Sequence, residues 1–403
     1  MNNKIIGLIS VVVVIGLVII GIVFMGGESE PQEPKSEQSS SQEEQTNQAD
    51  KEAKTAPGWE INTIKEGMTY MNDFNMVMDS EDKLHLVYQD TESHNVIHAY
   101  QADQQWQEEV ITEMGVGSSD AYPEIALQDG EIRVAFFGKD GLVYAQRKDG
   151  EWSKEVVDSD AESAGKVSLV VGNKPHVFYT RLNLSGEQNI ESVYAVKTQE
   201  EWQTKTIKPK LIRKATLALN NGNVHLSYVD EDKLYYDSLK DGQWNFEEVD
   251  EKISGSDNAI VFENDVPKLV YLKSVKTDTY PREATLKEGS WSIEKINTKE
   301  AAGGKGISVT FNKEGNLCAV YGYNKWNYDA NLSWGELIYV EKKNGQWGQT
   351  VIRRTAKQKE EKAEDVGKPI LSFDSNGKSH VVYNLTVKEG GETSYSWRHA
   401  YEK

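Results

Sequence analysis

Cysteine is almost missing from this chain of 403 residues: Cys318 stands alone, so no disulfide can close within it and no thiolate cage can hold a metal. Basic charge is also short, with 45 Lys and Arg against 64 Asp and Glu and a formal net charge of −19. A nucleic-acid binder needs a basic stripe to displace counterions from phosphates, which excludes that partner class. Tight docking on an anionic lipid surface is disfavoured for the same reason. Catalytic signatures are missing too: there is no H-E-x-x-H, no G-x-S-x-G, no G-x-x-x-x-G-K-[ST] phosphate loop and no Cys-x-x-Cys. No cofactor and no metal is called for by these residues.

Long apolar runs are absent after the first 25 residues, and the one that precedes them decides the compartment. Ile5 to Met25 is 21 residues without a charge. At about 1.5 Å per residue it matches a hydrocarbon core of roughly 30 Å, which predicts one transmembrane helix over 5–25. Val23, Phe24 and Met25 are bulky where a signal-peptide cleavage site needs small residues, and no cysteine follows to carry a lipid, so an uncleaved signal anchor is expected. Lys4 and the α-amino group precede the span while Glu28, Glu30, Glu33 and Glu37 follow it. That bias places residues 1–4 in the cytoplasm and the rest outside, as a single-pass protein of the cell membrane. Gly16 and Gly21 are five apart, which gives no small-xxx-small dimerisation face. Residues 26–56 then carry Glu, Gln, Ser and Lys with no aromatic residue, eight acidic against three basic. Such a stretch buries too little apolar surface to offset its ordering entropy and reads as a disordered spacer.

Residues 57–403 repeat. Tryptophans recur at 59, 106, 152, 202, 244, 291 and 347, spaced 42 to 56 residues apart, which is a blade-sized period. Four of them follow tight-turn pairs, in KDGEW at Trp152, KDGQW at Trp244, KEGSW at Trp291 and KNGQW at Trp347. Asp-Gly and Asn-Gly supply the positive φ of a hairpin, so each tryptophan opens a strand that folds back on its predecessor. A second register is aromatic at all seven positions: Tyr88, Phe136, Tyr179, Tyr228, Tyr271, Tyr321 and Tyr383. A third places Tyr144, Tyr194, Tyr236 and Tyr339 eight residues before a tryptophan. With an inner alternating strand such as Pro123–Leu127 or Pro369–Phe373, each unit has four strands. The fold class is therefore all-β, a seven-bladed β-propeller. The last unit ends before a tryptophan strand, and the orphaned Trp59–Ile64 can supply it, closing the ring with the N-terminal strand and removing exposed sheet edges.

The G-x-W hairpins after L-x-Y-A strands, with P-H-V-x-Y strands before them, resemble the repeats of bacterial sialidase-like propellers (the Asp-box type) and, less closely, of bacterial propeller lectins. The resemblance covers 57–403 and is one of repeat grammar. The Asp-box reads S-x-D-x-G-x-x-W, whereas Asp149-Gly150-Glu151-Trp152 has the shorter D-G-x-W spacing. Sialidases use three arginines, a Tyr/Glu nucleophile pair and an acidic general acid; no Phe-Arg-Ile-Pro motif marks a first arginine here, and the eight arginines are scattered. The resemblance implies architecture more than activity.

The repeated tryptophans read as wedge packing between blades. His85, His176, His225 and His380 share a register with Arg133, Lys268 and Cys318, which reads as a polar strand-face position because equivalent residues of a wide ring stand too far apart to share a metal. Asp374-Ser-Asn-Gly377 reads as a tight turn, since it lacks the later ligands of a calcium loop. Asn183, Asn331 and Asn384 each head an N-L-S/T triplet.

The breaks in the repeat point to the binding face. In four antiparallel strands A to D, the B–C loops and the D–A connections emerge on one face, and loops carry binding chemistry. Blades two and four have minimal B–C loops, whereas blade three extends through Arg181–Gly186, blade five through Lys273–Arg282 and blade six through Gly322–Trp334. Candidate ligand-binding residues are Arg181, Tyr280, Arg282, Tyr323, Trp326, Tyr328, Asp329 and Trp334, on the face formed by blades three, five, six and seven. Aromatic faces stack on the C–H faces of pyranose rings while amides and carboxylates bond hydroxyls, so the expected partner is a glycan. The same composition suits an envelope protein, because Trp and Tyr dominate interface hot spots. Binding without chemistry is the leading expectation. The alternatives are a carbohydrate-cleaving hydrolase, for which Asp120, Asp257, Asp278 and Asp329 fall in mouth-facing segments, and a scaffold in an envelope complex.

Overall fold

The computed structural model describes residues 52–403 apart from 69–73, 91, 103–104, 115–119, 184–188, 200, 276–277, 297–304, 328–329 and 360–362, with backbone alone at 183, 213–214, 254–257, 278 and 305. The expected span at 5–25 and most of the expected spacer lie outside those residues. Among the described residues no helix is long and apolar enough to cross a membrane.

Every regular element described is a strand, and the strands form seven antiparallel sheets. Blade one contains Phe74–Met78, Leu84–Gln89, Val96–Ala102 and Gln105–Thr112. Blade two contains Glu124–Gln128, Glu131–Gly138, Gly141–Lys148 and Glu151–Asp158, and blade three Ala161–Val171, Pro175–Asn183, Asn189–Thr198 and Glu201–Lys208. Blade four runs through Arg213–Asn220, Asn223–Asp230, Lys233–Ser238 and Glu247–Glu251, and blade five through Ile253–Glu263, Val266–Val275, Asp278–Lys287 and Ser290–Lys295. Blade six contains Lys305–Phe311, Leu317–Asn327, Leu332–Lys343 and Gln346–Arg354; blade seven contains Glu364–Phe373, Ser379–Glu389 and Glu392–Glu402. The innermost strands touch in chain order, and that of blade seven returns to that of blade one. Closure follows the sequence expectation: Trp59–Met68 is the outer strand of blade seven, paired antiparallel with Glu392–Glu402 from Trp59↔Glu402 to Met68↔Tyr395. Contacts with the ring begin within the stretch read as spacer, where Lys54–Thr55 pairs with Arg353 and Arg354 on the outer edge of blade six.

The turns adopt the geometry their residues demand. Asp149-Gly150, Asp241-Gly242, Glu288-Gly289 and Asn344-Gly345 all have positive φ at both positions, between 50° and 86°. That backbone matches the strand twist of two-residue hairpins, and Gly takes it without a Cβ penalty. One element departs from expectation: Trp244 precedes the outer strand of blade four, which starts at Glu247, and instead stacks on Phe246 with ring centroids 5.6 Å apart.

The apolar core is divided into seven clusters, one in each seam between neighbouring blades. The second aromatic register lies in these clusters, and all seven residues are at most 1% exposed. Burying a ring of that size stabilises the fold by on the order of 3 kcal/mol before entropy is counted. The repeated tryptophans reach across seams, as the wedge argument expects. Trp202 packs on Tyr144, Trp244 on Tyr194, Trp291 on Tyr236 and Trp59 on Tyr339, each time on the ring of the preceding blade. Trp397, which belongs to no repeat register, fills the seam between blades seven and one edge-on to Tyr88 at 4.5 Å.

Candidate functional site

Strand length singles out one face. The B and C strands of blades three, five, six and seven run for 9 to 12 residues, and those of blades one, two and four for 6 to 8. The extra residues continue the ladders, so what the sequence suggests as loops are protruding hairpins. In blade six, pairing runs unbroken from Leu317↔Lys342 to Asn327↔Leu332. A pleat sends successive side chains to opposite faces, which separates residues the sequence brings together.

Trp326 pairs with Ser333, and Trp334 with Lys325, so the two tryptophans lie on opposite faces of the hairpin. Trp326 shares its face with Asn324, whose side-chain amide bonds the backbone N–H and C=O of Val366 in blade seven at 3.0 and 3.1 Å. Trp334 shares its face with Tyr323, which is 6% exposed in the cluster between blades five and six and therefore packs. Tyr328 and Asp329 lie outside the described residues. Trp334 is half-buried and carries two cations over its ring, Lys325 Nζ at 5.6 Å and Lys357 Nζ at 5.0 Å. Lys357 arrives from the D–A connection because Ser333 and Gln358 exchange backbone hydrogen bonds at 2.7 and 3.0 Å. Sequence spacing gave no sign of either lysine at this ring.

Blade five presents a related arrangement. Arg282 Cζ lies 5.4 Å and Lys295 Nζ 4.6 Å from the centroid of Tyr280. Lys273, opposite Tyr280 in the ladder, is bound to Asp250 at 2.6 Å, and Tyr271 Oη donates to the same carboxylate at 2.7 Å. Arg282 meets no carboxylate among the described residues; its NH1 donates to the Pro281 carbonyl at 3.2 Å. Arg181, in contrast, is neutralised. Its guanidinium bonds Glu191 at 2.9 and 3.1 Å and also reaches Asp158, which accepts from Tyr179 Oη. Of the candidates described, Tyr280, Arg282 and Trp334 present aromatic and cationic chemistry at the hairpin face, while Tyr323 and Arg181 are committed to the fold.

A phenol–carboxylate pair does exist, at Tyr88 and Glu108, 2.5 Å apart, with Lys65 Nζ 3.0 Å from the phenol oxygen. Tyr88 is 1% exposed, and burial together with Glu108 pushes its phenol far above the ordinary range. A nucleophile needs the opposite on both counts. Among the carboxylates weighed for glycoside cleavage, Asp120 is exposed and accepts from Tyr122 Oη at 3.1 Å, and the side chains of Asp257, Asp278 and Asp329 lie outside the description.

The histidine register faces the seams. Nδ1 of His176 lies 2.6 Å from Tyr194 Oη, Nδ1 of His225 2.8 Å from Tyr236 Oη, and His85 and His380 meet His98 and His399 at 2.9 Å. Cys318 accepts from Tyr339 Oη at 3.1 Å, and burial pushes its thiol up to about 11. Burial likewise holds His176 and His225 neutral, down at about 4. Asn384, which heads one of the N-L-S/T triplets, is 3% exposed and inaccessible in the fold, whereas Asn331 is exposed.

No protein-family model matches the chain, and no curated protein matches its sequence. Solved structures do resemble it. A polysaccharide lyase described as an ulvan lyase of a new family aligns with TM-score 0.52 and 11% identity over 85% of this chain and 95% of its own. The NanB sialidase of Streptococcus pneumoniae aligns with TM-score 0.49 and 8% identity over 85% and 70%. The Aleuria aurantia lectin in complex with Fucα1-6GlcNAc aligns with TM-score 0.46 and 15% identity over 72% and 97%. At these identities a likeness concerns the fold alone, and that to the lyase is consistent with the β-propeller architecture.

Proposed function

We propose that this chain is a membrane-anchored, extracytoplasmic propeller that recognises a glycan through the hairpin face of blades five and six. The observation that carries the reading is the pair of half-buried aromatic rings, Tyr280 and Trp334, each flanked by two cations on a rigid ladder. An aromatic face offers a stacking platform for the C–H side of a pyranose, and the Arg282 and Lys325 donors beside it bond hydroxyl or carboxylate oxygens. The apolar run at 5–25 supports the anchor. A sialidase-like hydrolase would need an accessible nucleophile, and the Tyr88–Glu108 pair does not offer one.

An envelope protein is the second reading, favoured by Ile190 and Val275. They are 39% exposed on the hairpins of blades three and five, on the face that also carries Tyr280, Arg282 and Trp334, residue types that anchor protein interfaces. A glycan array of the full chain beside its Trp334→Ala and Arg282→Ala variants, with released sugar assayed in the same wells, separates the readings. Binding that falls at least tenfold in either variant without sugar release supports recognition. Silence across neutral and acidic glycans sinks the glycan reading and turns the search to cross-linked envelope proteins.

A further inference from the structure

The seams on the face opposite the hairpins are built to one plan, and the seam between blades two and three breaks it. In three seams the indole N–H of the repeated tryptophan donates to a glutamate on the outer strand of the preceding blade: Trp152 to Glu109 at 2.9 Å, Trp291 to Glu247 at 2.9 Å and Trp347 to Glu294 at 3.3 Å. In three seams the phenol of the third register is satisfied within its own blade, Tyr194 by His176, Tyr236 by His225 and Tyr339 by Cys318. Between blades two and three both bonds are missing. The equivalent glutamate, Glu155, is taken by Lys197 at 2.7 and 2.8 Å, and Trp202 Nε1 is buried without a partner, as is Trp244 Nε1 in the next seam, where the Tyr194 phenol is nonetheless bonded. Arg133, which stands where the histidines stand, bonds Glu131 at 2.5 Å and acts on Tyr144 only through its charge, and Tyr144 Oη has no hydrogen-bond partner among the described residues.

A cavity of about 550 Å³ opens at this place. Tyr144 lines it, 3% exposed and held edge-on by Trp202 at 5.4 Å. Gln146, two residues along the same strand and so on the same pleat face, lies beside it. Gln128, Asn173, Lys174 and Gln199 converge from the A–B and C–D turns. Gln128 Nε2 donates to the Gly172 carbonyl at 2.6 Å, which aligns its amide. Gln199 sits in a C–D turn at φ 56°, a left-handed position that a non-glycine residue takes rarely.

We propose that this seam is a ligand site for a neutral sugar unit, separate from the hairpin face and independent of the reading given to that face. The volume falls within the usual range of small-ligand sites, about 300–1,000 Å³. Amides and a phenol each both donate and accept, which matches hydroxyl groups that do the same. Charge argues against an anion, because Lys197 is already neutralised by both oxygens of Glu155 and Lys174 is the one remaining lining cation. The Tyr144 hydroxyl is not among the buried unpaired polar atoms and its residue lines the cavity, so it is open to a ligand hydroxyl.

The test is saturation-transfer NMR on the full chain with methyl glucoside, methyl galactoside, methyl mannoside and N-acetylglucosamine as neutral probes and N-acetylneuraminic acid as the anionic one. At least one neutral probe should receive magnetisation, with an affinity that falls fivefold or more in Tyr144→Phe and in Gln146→Leu. Tyr144→Phe removes a hydroxyl the fold does not use, so its unfolding curve should overlay the parent and a lost signal reports the site. Two outcomes would overturn the proposal: no transfer to any neutral probe, or binding untouched by both seam variants. Tighter Tyr144-dependent binding of N-acetylneuraminic acid than of every neutral probe would overturn the ligand class.

Discussion

Between blades three and four, His176 meets Tyr194 at 2.6 Å and Trp244 stands edge-on to the same ring at 5.7 Å. Between blades five and six the corresponding positions hold Lys268, Glu283 and Trp347. There Lys268 bonds Glu283 at 2.5 Å, Lys342 reaches the same carboxylate at 2.6 Å and lies 5.6 Å from the Trp347 centroid, and Glu283 is 0% exposed. One seam is neutral and aromatic, the other ionic. The backbone repeat thus fixes where a large side chain must go, while the polar partners at the third register differ from seam to seam. The two solutions differ in what breaks them: loss of the one buried carboxylate leaves Lys268 and Lys342 only the more exposed Glu263 and Glu294, whereas loss of one hydroxyl leaves a single imidazole nitrogen unpaired.

Glu283→Ala should therefore have the largest effect, a loss of about 3–5 kcal/mol in urea unfolding. Burial opposes ionisation of Glu283, and the ammonium groups on either side outweigh it, so its carboxyl sits well below the usual range. A loss under about 1 kcal/mol would show the ionic seam to be replaceable and erase the contrast. Next comes acid. His176 and His225 titrate near 4 in the fold, against about 6.5 in the unfolded chain. Below 6.5 the unfolded state takes up protons that the fold refuses, so stability falls as pH drops from 6.5 towards 4, by on the order of 3 kcal/mol down to about pH 4.5. Replacing both histidines with Phe should flatten that decline; an undiminished slope would show the aromatic seams are not its source.

Tyr194→Phe should cost about 1–3 kcal/mol by stranding His176 Nδ1, a smaller penalty than that of Glu283→Ala. Equal costs would remove the distinction between the seams. Smallest is Trp334→Ala, which lies on the hairpin face outside any seam cluster and should change unfolding free energy by no more than about 0.5 kcal/mol. A larger loss would make Trp334 a structural residue and weaken its place in the proposed glycan site.

The registers at Trp106, Tyr88 and Tyr144 were legible because a repeat samples the same packing demand seven times, and because Asp-Gly and Asn-Gly turns specify their own backbone. So was ring closure, since Trp59 was the one tryptophan strand left without its preceding three. The candidate site was legible only as a face. Whether an inserted segment is a loop or a ladder depends on pairing with a neighbour, and that pairing put Trp326 and Trp334 on opposite sides and drew Tyr323 into a seam. Lys357 comes from the D–A connection and Lys295 from the outer strand of blade five, so no local spacing could place them beside Trp334 and Tyr280. The cavity at Tyr144 was invisible for a further reason: it arises where Arg133 and Lys197 choose Glu131 and Glu155 as partners. Sequence determined the period, the turns and the closed ring, because each rests on short-range backbone geometry and repeated apolar demand. The tertiary structure alone decided which polar groups were left to bind something else, because that depends on competition among side chains distant in the chain.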